Sequence, residues 1–156
     1  MVEIDIPDFG HLAFEHLVLD YNGTLACDGE PFNGIADRLK TLAEVLKVHV
    51  VTADTFGKAR AGLKDLPVVL NILGPGSEAE AKASYVETLG ADRTAAIGNG
   101  RNDRLMLQRA GLGVAVLEAE GGSVEALTAA QVCTRSITEA LDLLLNPKRL
   151  VAVLRS

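Results

Sequence analysis

Residues 16–25, His-Leu-Val-Leu-Asp-Tyr-Asn-Gly-Thr-Leu, run from a short apolar stretch into a carboxylate and then at once into a turn pair. A run this short suits a strand in the middle of a parallel sheet, where both faces are covered, better than it suits a helix. Asn22-Gly23 breaks the run abruptly, which puts Asp20 at the carboxyl end of the strand. In open α/β sheets that edge is where ligands bind. A carboxylate delivered there is placed for chemistry.

The rest of the chain continues the alternation. Residues 2–6 are expected to form a hairpin with residues 12–19 across the turn Pro7-Asp8-Phe9-Gly10. A helix is expected over 34–46, with Ile35, Leu39, Leu42 and Leu46 on one face, followed by a strand at 48–52, a helix at 55–63 and a strand at 68–73. Ser77, with Glu80 three places on, reads as the capping-box start of a helix carrying Lys82. Strands at 94–97, 113–117 and 130–134, a helix at 103–110 and helices at 137–145 and 147–154 complete the pattern. Such alternation predicts an α/β chain of three layers, a mainly parallel sheet between helices. With 156 residues, 48% of them hydrophobic, one domain spanning 1–156 can bury a full core.

Charge and composition exclude several classes of function. A net charge of -6 argues against a nucleic-acid surface, because phosphate contacts need clustered Lys and Arg. No apolar stretch approaches the roughly 20 residues of a membrane span, and the opening Met1-Val2-Glu3-Ile4-Asp5 is unlike a basic signal peptide. Cys27 and Cys133 form no Cys-x-x-Cys pattern and fit a reducing compartment, so a cytoplasmic location is expected. His11, His16 and His49 are not spaced as metal ligands and read as strand or loop residues.

Four segments carry a resemblance. Asp20-Tyr21-Asn22-Gly23-Thr24 resembles motif I of the haloacid dehalogenase-like superfamily, Asp-x-Asp-Gly-Thr; Thr52, closing an apolar strand, resembles motif II; Lys82 resembles the motif III lysine; and Gly98-Asn99-Gly100-Arg101-Asn102-Asp103 resembles motif IV, Gly-Asp-Gly-x-Asn-Asp. The match runs over residues 12–117 and is nearest to the soluble P-type-ATPase-like phosphatase family. The resemblance implies a Rossmann-like αβα fold and a phosphatase in which Asp20 is the nucleophile that becomes phosphorylated. It also implies that Thr52, Lys82 and the turn at Gly23 hold the phosphoryl group. Magnesium would be bound by Asp20, the backbone carbonyl of Asn22 and the side chain of Asn99, with Asp103 helping. Only about thirty residues separate successive landmarks, too few for an inserted cap domain. In resembling groups capless members act on large substrates or complete their sites with a neighbouring subunit, which implies a phosphorylated substrate that is either macromolecular or met by a homo-oligomer.

Two departures matter. Asn22 stands where the family has a general acid and base, and Asn99 where it has a charged magnesium ligand. An amide exchanges no proton near neutral pH, and loss of general acid–base catalysis slows turnover by roughly 100-fold to 10,000-fold. The expectation is a slow magnesium-dependent phosphatase working through phospho-Asp20; the alternative is a catalytically degenerate regulatory or binding protein. Blander roles stand beside these. Thr52 can be an ordinary strand-end residue, Lys58 rivals Lys82, and Asp103 or Asn102 can simply cap a helix. A receiver-like signalling domain fits poorly, because its acceptor would follow the third strand, where this chain has Leu73-Gly74.

Overall fold

A computed structural model describes residues 1–156. The chain opens with β1 (Val2–Ile6) and β2 (Gly10–Phe14), an antiparallel hairpin that pairs Val2 with Phe14 and Ile6 with Gly10. This hairpin stops earlier than the sequence suggests. At Glu15 the N–H donates to the Arg93 carbonyl and the carbonyl accepts from Lys47 N–H, so the backbone is already committed to the main sheet. Residues 16–19 therefore form a separate strand, β3 (His16–Leu19), with parallel partners on both sides.

A two-strand flap follows, β4 (Ala26–Cys27) and β5 (Glu30–Pro31), and then α1 (Ile35–Ala43), β6 (Lys47–Thr52), α2 (Lys58–Gly62), β7 (Val69–Ile72) and α3 (Glu78–Leu89). The second half is β8 (Thr94–Gly98), α4 (Arg104–Arg109), β9 (Leu112–Val116), α5 (Val124–Ala129), β10 (Val132–Thr134), α6 (Ile137–Leu145) and α7 (Pro147–Leu154). α2 is shorter than its apolar spacing suggests, and the Asp54 carboxylate, upstream of its first turn, accepts the N–H groups of Ala59 and Arg60. The helix α5 was not anticipated. Its start is fixed by Ser123, whose hydroxyl accepts the N–H of Ala126.

The main sheet has six parallel strands in the order β10-β9-β8-β3-β6-β7. Successive residues of β3 face opposite layers. Leu17 and Leu19 enter the larger core under α1, α6 and the hairpin, whereas Val18 packs with Val51, Val86, Met106 and Leu107 beneath α3 and α4. Each of these leucines is fully buried, worth about 1.5–3 kcal/mol over exposure. In register, Leu19 lies opposite both Val50 and Ile97, which brings the ends of β3, β6 and β8 to one edge. No cap domain is inserted: the flap and α1 fill the interval from β3 to β6, and α2, β7 and α3 the interval from β6 to β8. No helix is long and apolar enough to cross a membrane.

Candidate active site

β3 delivers Asp20 to the sheet edge, where its N–H still donates to the Ile97 carbonyl at 3.0 Å. The residue is 5% exposed. It faces α3, and the Lys82 ammonium donates to Oδ1 of Asp20 at 2.6 Å and to Oδ1 of Asp103 at 2.8 Å. Ser77 fixes the start of α3 by accepting the Glu80 N–H, and the buried stripe Ala79, Lys82, Ala83 and Val86 faces the sheet, small neighbours leaving room for the lysine stem. Lys58, the rival cation, donates instead to the Asp28 carbonyl at the surface.

Burial pushes the Asp20 carboxyl up, and the neighbouring Asp103 adds to it, to about 7, against the pull of Lys82 and Thr24. Burial alone would lower Lys82, but Asp20 and Asp103 together outweigh it and hold the ammonium protonated well above its ordinary range. One cation thus serves two carboxylates.

Asp103 does not take the place expected of it. Its carboxylate is fully buried, with Oδ1 on Lys82 and Oδ2 accepting the N–H groups of Asn99 at 3.0 Å and Gly100 at 2.9 Å. Fully buried, it anchors the lysine and the loop and does not line the cleft onto which Asp20 opens. Gly98 makes room for this, because a Cβ there would lie 2.6 Å from Oδ2 of Asp103.

The turn after Asp20 also differs from expectation. Gly23 adopts a φ of 80°, and its N–H is spent on the Ala26 carbonyl at 2.7 Å, which removes it as a phosphate donor. Thr24, the last residue of the motif, is fully buried. Its hydroxyl stands 3.2 Å from Oδ2 of Asp20 and 3.4 Å from Oδ1 of Asn99, with one proton for two acceptors. Asn99 donates its amide to the Gly121 carbonyl at 2.9 Å and turns its oxygen toward the Thr24 hydroxyl. Carboxylate and amide oxygens are the hard donors magnesium takes, and Asp20 Oδ2 and Asn99 Oδ1, which share the Thr24 hydroxyl, are two such oxygens held close together.

Thr52, 4% exposed, ends β6 and accepts the N–H of Asp54. Asp20, Asn22, Thr52 and Asn102 open onto a cleft of about 410 Å³, whose walls also carry Asp54 and Glu120. Asn102 is tied by its amide to Glu78 at 2.7 Å. Neither Thr24 nor Glu120 stood out in the sequence: Thr24 belongs to the motif but titrates nothing, and Glu120 arrives from an irregular loop far along the chain.

The fold has close counterparts. A cobalt-bound deoxy-D-mannose-octulosonate 8-phosphate phosphatase from Haemophilus influenzae superposes with a TM-score of 0.71 at 17% identity, over 92% of this chain and 94% of that one. The 3-deoxy-D-manno-octulosonate 8-phosphate phosphatase of Moraxella catarrhalis, in complex with magnesium ion, phosphate ion and KDO, gives 0.66 at 19% identity, over 89% and 92%. At such identities the likeness speaks for the fold. Residues 79–140 match the family model of the haloacid dehalogenase-like hydrolases. Over that segment the chain is similar to the haloacid dehalogenase-like hydrolases. The chain is also 40% identical over 84 residues to an uncharacterized protein of Methanocaldococcus jannaschii, covering 51% of this chain and 90% of that one. The segment matched by the family model holds Lys82, Asn99 and Asp103; Asp20 and Thr52 lie before it.

Proposed function

We propose that this protein is a magnesium-dependent phosphatase that works through a phospho-Asp20 intermediate and turns over slowly. The observation that carries the reading is the Asp20 carboxylate itself, at the carboxyl end of the central strand, braced from behind by buried Lys82 and open in front to the cleft. A carboxylate oxygen of Asp20 attacks the phosphorus of a phosphomonoester, the bond to the leaving oxygen breaks, and an acyl phosphate forms. Water then attacks the same phosphorus, the Asp20–phosphorus bond breaks, and phosphate and the free carboxylate are restored.

Thr52 and the N–H groups of Tyr21 and Asn22, which no carbonyl of the protein takes up, are the donors left for the phosphoryl oxygens. Lys82 adds positive charge behind the nucleophile. A magnesium ion held by Asp20, the Asn22 carbonyl and Asn99 would neutralise charge on the transferring oxygens and favour the ionised form of Asp20. Asn22 lies exposed at the cleft with no proton to give or take, so the leaving oxygen takes its proton from water, and the missing acid–base step costs about 100-fold to 10,000-fold in rate. The structural neighbours named for a sugar-acid phosphate support a phosphorylated sugar as a substrate class.

Exposed, proton-inert Asn22 also favours a second reading, a binding or regulatory protein that has kept the fold without the turnover. Phosphate release from an aryl phosphate across a magnesium titration separates the two. Magnesium-dependent release that vanishes in Asp20→Ala and rises in Asn22→Asp is the expected result. Equal, negligible release from all three proteins would overturn the phosphatase.

A further inference from the structure

Asn99 brings an oxygen to the magnesium site but no charge, and a carboxylate able to make up the difference lies beside it. Glu120 comes from the loop after β9 and forms part of the same cleft wall as Asp20 and Asn22. Gly23 gauges how near it comes. A Cβ on Gly23 would fall closest to Nδ2 of Asn99 and 2.8 Å from both Oδ1 of Asn99 and Oε2 of Glu120, so the Asn99 amide and the Glu120 carboxylate flank one small gap in the turn. The other oxygen, Oε1, accepts the N–H of Asp28 from the flap at 3.5 Å, a long contact that leaves the carboxylate free to turn.

The loop that carries Glu120 is pinned to residue 99 on both sides of its backbone. The Asn99 amide donates to the Gly121 carbonyl at 2.9 Å, and the Ser123 N–H donates to the Asn99 carbonyl at 2.8 Å. An aspartate at 99 has no N–H to give Gly121, and its charge would face that of Glu120. The amide at 99 and the carboxylate at 120 are therefore complementary: one holds the loop, the other supplies the charge that a divalent cation with hard oxygen ligands requires.

We propose that Glu120 is a charged ligand of the magnesium site, standing in for the carboxylate that Asn99 lacks. The proposal rests on the magnesium-dependent reading above. Its role is to bind the ion, and the test reads binding rather than turnover.

Isothermal titration of magnesium chloride into the purified chain should give a dissociation constant that rises about tenfold or more in Glu120→Gln, the scale on which ligand-shell changes act. Glu78→Gln, which removes a carboxylate from the same cleft but one held by Asn102, should leave the constant unchanged. The double variant Asn99→Asp with Glu120→Gln should recover the affinity, because the charge has returned to the other side of the gap. Circular dichroism and thermal midpoints without magnesium check that each variant is folded. Unchanged affinity in Glu120→Gln would overturn the proposal and leave the phosphatase reading standing. An equal loss in Glu78→Gln would also overturn it, as a general effect of cleft charge, and so would failure of the double variant to recover. Absence of binding at millimolar magnesium in both the native chain and the double variant would instead remove the magnesium reading, and this proposal with it.

Discussion

β3 and α3 take part in two polar networks, completed by β6 at one end and by the loop before α4 at the other, and the networks answer burial in opposite ways. Residues 16, 18 and 20 of β3 and just beyond it point to one face, toward α3. At the amino end of the sheet Nδ1 of His16 meets Nε2 of His49 at 3.1 Å, and Nδ1 of His49 meets the Tyr85 hydroxyl at 2.9 Å. At the carboxyl end Asp20 and Asp103 share Lys82, which sits three residues before Tyr85 on the helix. Between them Val18, Val51 and Val86 form an apolar seal. Burial, helped by His16 and Lys47, drives the His49 imidazole down to about 4, so that network sheds its charge. Asp20 is pushed toward the neutral form as well but keeps a lysine in contact. A structural network can be neutral; a nucleophile cannot, and the lysine is the group that opposes its protonation.

The largest effect should come from taking that lysine away. Lys82→Met leaves two carboxylates facing each other in a dry site, and breaking a buried ion pair by removing one partner costs about 3–5 kcal/mol. Denaturant unfolding should show that loss, and phosphate release should vanish. A loss no larger than that of exposed Lys40→Met would mean that the ionic network is not held together by its cation.

Asp20→Asn should separate stability from activity. It removes one of two carboxylates competing for one ammonium, so at pH 8 in chelator-containing buffer we expect a gain of about 1 kcal/mol, roughly 2–4 °C in thermal midpoint for a chain of this size, with no phosphate release. A lower midpoint than the native chain would show that the Asp20–Lys82 contact outweighs the repulsion.

The two networks should also tilt the pH dependence in opposite directions over one window. Asp20 titrates near 7 when folded against a usual 3.8, so the folded state holds that proton more tightly. Its contribution is complete below about 4 and is lost as pH rises to about 7. His49 titrates near 4 against a usual 6.5, so the unfolded state holds that proton more tightly. Its contribution is complete above about 6.5 and is lost as pH falls to about 4. Relative to the native chain, Asp20→Asn should therefore be more stable toward neutral pH than toward pH 4, and His49→Gln the reverse. Parallel shifts in both variants would show that one network, not two, governs the titration.

What could be read from the sequence was what is written locally. The strand ending in Asp20, the Ser77 cap and the glycine-flanked loop after β8 each announce themselves within a few residues. The direction of a side chain at the end of such a loop does not. Spacing put Asp103 near the start of a helix but could not tell a carboxylate facing the cleft from one folded back on the N–H groups of Asn99 and Gly100, a choice settled by the missing Cβ of Gly98. The Gly23 N–H looked free for phosphate until Ala26 came round the turn to take it. Glu120 depends on a contact between distant loops, and Glu15 ends the hairpin only because Lys47 and Arg93 are waiting in the main sheet.

The smallest expected effect tests whether the networks are separate. Tyr85→Phe removes one hydroxyl from His49 Nδ1 and leaves the ring packing, so about 1 kcal/mol of stability should go, the usual worth of one such bond. Phosphate release should not change. Lys82 is fixed by Asp103, which is fixed in turn by the backbone of Asn99 and Gly100, and none of these groups shares a hydrogen bond with Tyr85. The valine seal gives no polar route from one end of the strands to the other. If phosphate release fell in Tyr85→Phe in step with stability, α3 would be shifting as a body, and the lysine would owe its position to both ends of the helix.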